Sequence, residues 1–570
     1  MAKLKIGIDD FKKLRREDGY FVDKSLLIRE VLDSGMCVLL PRPRRFGKTL
    51  NLSMLRYFFE KCDEDRSDLF AGLKITEDAR AMEHQGQYPV VFLSLKDIRG
   101  SSWAVARKAL VGKIASLYKQ NRAIAQDLPG DDREQFERLA GRSGDRADLN
   151  SSLANLITYL HDYHGIPVIV LIDEYDTPII QAWQQGYYDE MIEFMRCWLG
   201  AGLKHEDGMA LHRAVVTGIL RVARESIFSG LNNLVTWTTL DSGPFADKFG
   251  FTQDEVDKLL SDFDAPELGD PIRKWYNGYS FGGVTAYNPW SVVNALQKGA
   301  SSMGPHWLNT ASNELVYAEL EAGGTEVKRD IEKLLRGEAL HYPIRESITF
   351  DDIGRGAENI WSFLYFCGYL RADECERNPL DQTELLWRLT IPNLEVSVAY
   401  RDFVNRIFRD VRADGIKPLV RCFTEDRPAR ELEDVLQELV LSLVSHHDVA
   451  RRPEAVFHAF VLGLLANLRD VYHVQSNVES GYGRADIIMR PKTDRYPLGF
   501  IIEFKSIEDS ADVEAALTEG LDQIDDRDYP GRLRAAGVAE ENIRKLSVVL
   551  CGKTLRVRRE APGIRAPESH

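Results

Sequence analysis

Gly47, Lys48 and Thr49 follow an apolar run, Val38-Leu-Leu-Pro41, and precede a helix-compatible segment from Leu50 to Phe59. A strand, a loop ending in Gly-Lys-Thr and a helix is the context in which this tripeptide binds nucleotide phosphates. Gly47 lets the backbone approach a phosphate. Lys48 would reach the β- and γ-phosphates of ATP, and Thr49 would offer its hydroxyl to magnesium at a positive helix N-terminus. The loop departs from G-x-x-x-x-G-K-[ST] because Arg42 stands at the first glycine position, followed by Pro43, Arg44 and Arg45. The arginines either weaken nucleotide binding or contact phosphates themselves, and Arg44 and Arg45 join the nucleotide-site candidates. A second Gly-Lys-Thr, Gly552 to Thr554, follows strand-like Leu546–Cys551 but leads into Leu-Arg-Val-Arg, and reads as a turn.

A partner for the phosphate loop lies downstream. Val168-Ile-Val-Leu-Ile172 runs into Asp173-Glu174-Tyr-Asp176, the pattern of a Walker B strand. Asp173 would hold magnesium, directly or through water, and Glu174 would polarise the attacking water. The next apolar run, His212–Ile219, ends in Thr217-Gly218, and Thr217 is a candidate sensor of the γ-phosphate. Arg221 and Arg224 are candidate arginine fingers, within or between subunits, or ordinary surface arginines.

A third cluster is carboxylate-rich. Gly483-Arg-Ala-Asp486-Ile-Ile-Met489 precedes Gly499-Phe-Ile-Ile-Glu503-Phe-Lys505. Both apolar runs read as strands, joined by a polar turn around Lys492–Tyr496. Residues two apart on a strand share a face, so Glu503 and Lys505 point one way while Phe500, Ile502 and Phe504 point into a core. A strand pair can set Asp486 beside Glu503. Two carboxylates and a backbone carbonyl would bind magnesium, or manganese, which activates water and stabilises phosphate charge. Lys505 would orient that water or stabilise the developing charge.

The elements that must position these residues read as α/β. Met36–Leu40, Pro89–Leu95, Val168–Ile172, Ala214–Ile219 and, more weakly, Leu234–Leu240 read as strands separated by helical segments. That alternation predicts a three-layer P-loop NTPase domain with a largely parallel sheet. The polar stretch Gln126–Asn150 reads as an excursion or flexible loop. Thr252-Gln-Asp-Glu255 makes a capping box that should start a helix. The spacing predicts a mainly helical middle from about Ala265 to Arg430, with aromatic loops and a buried Trp361–Leu370 helix. The Trp275–Gly283 cluster reads as packing rather than base stacking. After Glu431 the pattern predicts helices, a strand pair, a helix and a final strand.

Several segments resemble the bacterial AAA-ATPase-like family, commonly fused to a C-terminal PD-(D/E)XK nuclease domain. They are Phe21–Ser25, Arg42–Thr49, Leu171–Asp176, Thr217–Ile219, Phe228–Asn233, Phe249–Thr252, Trp275–Tyr279 and Tyr287–Trp290. The Arg-Pro-Arg-Arg-Phe loop is itself similar to the family's pattern. Asp486, Glu503 and Lys505 resemble the core of the PD-(D/E)XK motif. The resemblance implies that Glu454 is a further metal-site carboxylate; His458, four residues on, shares its helix face and is a second choice. It also implies that Ala515–Ile524 is the helix bringing Gln523 near the site. The expected division is an ATPase domain (1–250), a helical lid or middle region (251–430) and a restriction-endonuclease-like α/β domain (431–570).

Composition bounds the function. With 44% hydrophobic and 28% charged residues this is a globular chain, and no apolar run approaches the roughly 18–20 residues that cross a bilayer. The N-terminus lacks a signal-peptide core, so a cytoplasmic location is expected. Seven cysteines without a CxxC pair read as reduced, mostly buried thiols with no zinc site. A net charge of -15 argues against bulk electrostatic coating of nucleic acid but leaves a nuclease open, since metal-dependent nuclease sites are acidic. The expected function is a nuclease acting on DNA, or less readily RNA, gated by ATP, with a homo-oligomer forming through the ATPase domain and a role in defence against foreign nucleic acid. The alternative is a non-catalytic, nucleotide-operated switch with an inactive nuclease fold. A translocating motor lacks support, because a single ATPase core is visible and no helicase motifs follow it.

Overall fold

The computed structural model describes residues 3–204, 210–220, 227–228, 231, 233–308, 316–317, 319–320, 324–346, 357–409, 417–444, 465, 468, 471–480, 483–507, 510–551 and 554–560. The chain forms two compact bodies. One comprises Met1–Glu319 with His341–Val396, the other Leu320–Leu340 with Ser397–His570.

The N-terminal body is built on five parallel strands: β1 (Cys37–Pro41), β2 (Val90–Ser94), β3 (Val168–Asp173), β4 (Leu211–Gly218) and β5 (Leu234–Thr236). Their order is β2-β3-β4-β1-β5. β1 and β3 are buried at every position, as parallel strands covered on both faces must be. All five strands expected from the sequence are present, and β5, the weakest of them, is a short edge strand. Register sets the functional end. Leu40 lies beside Thr217, Pro41 beside Gly218, and Ile172 beside Val216, so the carboxyl ends of β1, β3 and β4 finish together. Such an edge is where ligands of open α/β sheets bind.

The polar stretch Gln126–Asn150 is not a loop. It carries helix Gly130–Ala140 and the start of helix Arg146–His164. Phe136, Leu139 and Ala140 are buried at a spacing that makes one helical stripe, narrow enough to be masked by the surrounding charges. Asp145 and Asp148 form a capping box, and the Arg138 Nε also donates to Asp148 at 3.0 Å. The Thr252–Glu255 capping box forms as expected and starts helix Gln253–Asp262. The middle is helical, with Trp361, Phe363 and Leu364 buried in helix Ala357–Phe366. It also holds two small sheets absent from the sequence reading: β6 (Tyr279–Phe281) with β7 (Val284–Ala286), and β8 (Leu340–Pro343), β9 (Arg371–Arg377) and β10 (Leu385–Thr390) in the order β8-β10-β9.

The C-terminal body has a five-stranded sheet in chain order: β11 (Tyr472–Ser480), β12 (Gly483–Pro491), β13 (Gly499–Ile507), β14 (Ile543–Cys551) and β15 (Thr554–Arg559). β13 and β14 run parallel, and helix Val513–Asp526 supplies the crossover that a parallel pair needs. The sequence reading has β12, β13, this helix and β14; β11 and β15 are additions, the first interrupted by His473, Gln475, Ser476 and Asn477 and the second carrying three arginines. The cysteines depart from expectation as well. Cys37 and Cys422 are buried, but Cys62, Cys197 and Cys375 are exposed, and none of the seven is in a disulfide.

Candidate active sites

The phosphate loop and Walker B strand meet as their spacing requires. Gly47 has φ 84° and caps helix Lys48–Phe59. The Thr49 hydroxyl donates to Asp173 Oδ2 at 2.8 Å, and the Thr217 hydroxyl donates to Asp173 Oδ1 at 2.9 Å. Lys48 Nζ donates to the carbonyls of Arg42 and Pro43, each at 2.9 Å. Burial pushes the Asp173 carboxyl above its ordinary range and the Lys48 ammonium below its own. Glu174, at φ 53°, accepts from the Thr177 hydroxyl at 3.2 Å. Arg44, Arg45, Gly47, Lys48, Thr49 and Glu174 line one cavity of about 1110 Å³, a volume that suits a nucleotide.

Arg42 does not obstruct this loop. Its side chain is buried and donates to the carbonyls of Pro41 and Trp237 at 2.8 Å and of Phe245 at 3.2 Å. It lies over Phe249 and Phe281, and desolvation brings it down to about 10. Next along the loop, Phe46 is buried between Tyr279 and Phe281, with ring centroids at 4.9 and 5.0 Å, and its carbonyl accepts from Gly250 N at 3.3 Å. The Trp275–Gly283 cluster is therefore packing, as its composition suggests: Tyr279 and Phe281 pack against the phosphate loop, while Trp275 and Tyr276 join the core around Leu259 and Val292.

Asp176 has a role the sequence did not disclose. It is fully buried, and its Oδ2 accepts from Ile219 N at 2.7 Å and Leu220 N at 2.9 Å. Tyr175 adds a hydroxyl bond to the Leu220 carbonyl at 2.8 Å. The residues after the Walker B pair thus grip the chain leaving β4. The only sequence signal was a fourth polar position in Asp-Glu-Tyr-Asp, which resembles a solvated acidic loop. Arg221 and Arg224 lie outside the described residues.

In the C-terminal body β12 and β13 pair from Met489↔Phe500 to Ile487↔Ile502, and Asp486 and Glu503 come next on their strands. There the Asp486 Oδ2 accepts from Phe504 N at 2.8 Å. Glu503 is buried on the face covered by helix Val513–Asp526, so both faces of β13 are packed. Gln523 bridges the site. Its Nε2 donates to Glu503 Oε1, and its Oε1 accepts from Lys505 Nζ at 2.8 Å. Lys505 also pairs with Glu519 at 3.0 Å. Burial, and then the charge of Asp486, pushes Glu503 up to about 8; burial likewise raises Asp486.

Both sites fit a divalent cation. Thr49 and Asp173 present a hydroxyl and a carboxylate together, the hard oxygen donors magnesium takes. At the second site Glu503 Oε2 is buried with no hydrogen-bond partner among the described residues, beside a second carboxylate, an arrangement a cation would relieve. Among the described residues no cluster of three His, Cys, Asp or Glu side chains suited to a metal occurs. Glu454 and His458 lie outside the described residues.

A P-loop and Walker B pair on a 2-3-4-1-5 parallel sheet defines the first body as a P-loop ATPase-like fold, and the Asp/Glu/Lys cluster on a mixed sheet suits a nuclease-type fold for the second. Residues 5–228 match the family described as Predicted AAA-ATPase, and residues 452–560 match the PD-(D/E)XK nuclease superfamily. The chain therefore joins an AAA-ATPase-like domain to a PD-(D/E)XK nuclease superfamily domain. It is 26% identical over 554 residues, 94% of each chain, to the "Uncharacterized protein in vnfD 5'region" of Azotobacter chroococcum mcd 1. A Walker-type ATPase of Pyrococcus abyssi aligns at 14% identity over 68% of this chain and 97% of its own, with a TM-score of 0.34. A signal transduction ATPase with a tetratricopeptide repeat sensor, from Pyrococcus horikoshii, aligns at 10% identity over 78% and 58%, with a TM-score of 0.26. No helix among the described residues is long and apolar enough to cross a membrane.

Proposed function

We propose that this chain binds and hydrolyses ATP in its N-terminal body and hydrolyses phosphodiester bonds of DNA, or less readily RNA, in its C-terminal body, with cleavage gated by the nucleotide. The observation that carries the nuclease reading is the buried Glu503 carboxyl, with one oxygen unpartnered, set near Asp486 and bridged by Gln523 to Lys505. Asp486 and Glu503, with Glu454 as a third carboxylate, would hold magnesium or manganese. The cation, when bound, supplies Lewis acidity that lowers the pKa of water and offsets phosphate charge. Lys505, fixed by Gln523, donates to the attacking water or to the phosphate oxygen on which charge develops. In the ATPase site Thr49 and Asp173 would hold magnesium, Lys48 with Arg44 and Arg45 would bind phosphates, Thr217 would report on the terminal phosphate through Asp173, and Glu174 would orient water.

We further propose an ATPase domain over 1–250, a lid or middle region over 251–430 and a nuclease domain over 431–570. The protein would act in the cytoplasm, assemble through its ATPase domain and serve in defence against foreign nucleic acid.

One observation favours the second reading, a nucleotide-operated switch without cleavage. Among the described residues several cations of the C-terminal body are paired with acids: Arg544 and Arg559 with Asp426, Lys545 with Asp525 and Glu560, and Arg558 with Glu514. Such pairing leaves less charge for a nucleic-acid backbone. The deciding experiment incubates the full-length protein with magnesium or manganese and several DNA and RNA forms, with and without ATP, beside Glu503→Ala and Lys48→Ala. Cleavage lost in Glu503→Ala establishes the nuclease, and ATP dependence lost in Lys48→Ala establishes the gate. ATP binding without cleavage under any condition would favour the switch.

A further inference from the structure

The phosphate loop carries a third arginine placed unlike Arg42. Arg45 sits at φ 67°, and its guanidinium lies over the Trp290 ring, 4.3 Å from the centroid. Both residues line the cavity that also contains Lys48, Thr49 and Glu174. The distance is short for a cation–π contact and within the range where such pairs hold a side chain in place. Stacking uses the face of a guanidinium, while phosphate oxygens are bound by its N–H edge. Burial lowers the pKa of the Arg45 guanidinium and the charge of Glu174 opposes that shift; Arg45 and Glu174 line the same cavity.

Trp290 is itself firmly seated. Pro289 opens its helix, and the Asn288 side chain caps it by accepting from Ser291 N at 3.3 Å. The Ser291 hydroxyl donates to the buried Glu395 at 2.9 Å. Asn288 also reaches the Arg44 carbonyl, at 3.5 Å. The Tyr-Asn-Pro-Trp segment, 240 residues from the loop, therefore supports the loop's backbone and one of its side chains together.

We propose that Trp290 is a positioning residue for Arg45, and that the stacked pair is a clamp on the terminal phosphate that selects nucleoside triphosphate over diphosphate. The inference rests on the nucleotide-binding reading of this cavity. Without the ring, Arg45 keeps its charge but loses its fixed orientation, and the terminal phosphate loses a charge-assisted hydrogen bond.

Isothermal titration of the full-length protein with ATPγS and with ADP tests it. Arg45→Gln and Trp290→Ala should each weaken ATPγS by about tenfold, the loss of one charge-assisted hydrogen bond. ADP affinity should stay within about twofold, and the double variant should be no worse than either single one, because the two residues act as a unit. Trp290→Phe retains a ring and should recover most of the selectivity; it also serves if Trp290→Ala fails to fold. Equal losses for both nucleotides, or additive losses in the double variant, would overturn the clamp while leaving the nucleotide site intact. A wild-type protein that binds neither nucleotide would overturn the nucleotide reading itself, and the clamp with it.

Discussion

Replacing Glu395 by Gln should make the N-terminal body more stable at alkaline pH. Glu395 is buried, and its Oε1 accepts from the Ser291 hydroxyl and from Trp307 N at 2.8 Å. Its Oε2 is buried with no hydrogen-bond partner among the described residues. Burial pushes the carboxyl from its ordinary 4.5 up to about 8 despite those donors. An unfolded glutamate loses its proton near 4.5 while the folded one keeps it to about 8, so between these values the folded state binds more protons. Stability therefore falls as pH rises through that window and levels off above it. At about 1.4 kcal/mol for each tenfold step in proton affinity, the full loss is roughly 5 kcal/mol, an upper figure because local relaxation and water entry soften it. Gln keeps an acceptor oxygen for both donors and puts an uncharged amide nitrogen where Oε2 stood. Glu395→Gln should thus match wild type near pH 4.5 and exceed it by at least about 2 kcal/mol near pH 9. Urea unfolding of the full-length protein from about pH 4.5 to 9, followed by tryptophan fluorescence for the N-terminal transition, measures both. A Glu395→Gln profile parallel to wild type, or a variant less stable at pH 9, would refute the reasoning.

Asp176→Ala should cost roughly 2–4 kcal/mol by orphaning two buried backbone N–H groups, whereas Asp176→Asn, which retains an acceptor, should cost about 1; thermal unfolding separates the two. Gly520→Ala would put a methyl 2.3 Å from the Ser547 hydroxyl and should destabilise the C-terminal body by about 1–3 kcal/mol. Ser547→Ala should recover part of that loss, because the Ser547 Oγ is buried with no partner among the described residues; simple additivity in denaturant unfolding would count against close packing there. Thr252→Ala removes the hydroxyl that accepts from Glu255 N at 3.4 Å and should cost about 1 kcal/mol, read as a lowered melting temperature.

The sequence made parts of both sites legible because there the chemistry is local. β1 is an unbroken apolar run that opens the loop ending in Gly-Lys-Thr, β3 is one that runs into Asp-Glu, and Glu503 and Lys505 share a strand face by simple alternation. What escaped depends on contacts between distant segments or on sparse apolar signals. Asp176 matters because of Ile219 and Leu220, more than 40 residues away. The helix Gly130–Ala140 shows only three buried positions, and β15 alternates buried and exposed residues inside a basic tail. The burial of Glu503 was missed because one strand's alternation describes a single covered face, while helix Val513–Asp526 covers the other.

The phosphate loop shows how a local rule can be broken and compensated elsewhere. Arg45 adopts φ 67° in a loop where glycine is the usual solution, a conformation that costs a side-chain-bearing residue about 1–2 kcal/mol. Glycine would remove that cost and also the side chain. Here Arg42 is fixed on three carbonyls, Phe46 is held between two rings, and Arg45 is stacked on Trp290. The aromatic motifs from Phe249 to Trp290 therefore hold the loop from outside, with Lys48 and Thr49 lining the cavity. On this account the loop and its aromatic support form one unit. Placing glycine at Arg42 alone would remove the guanidinium that fills the buried site under Phe249 and Phe281, and should weaken the phosphate loop rather than restore it.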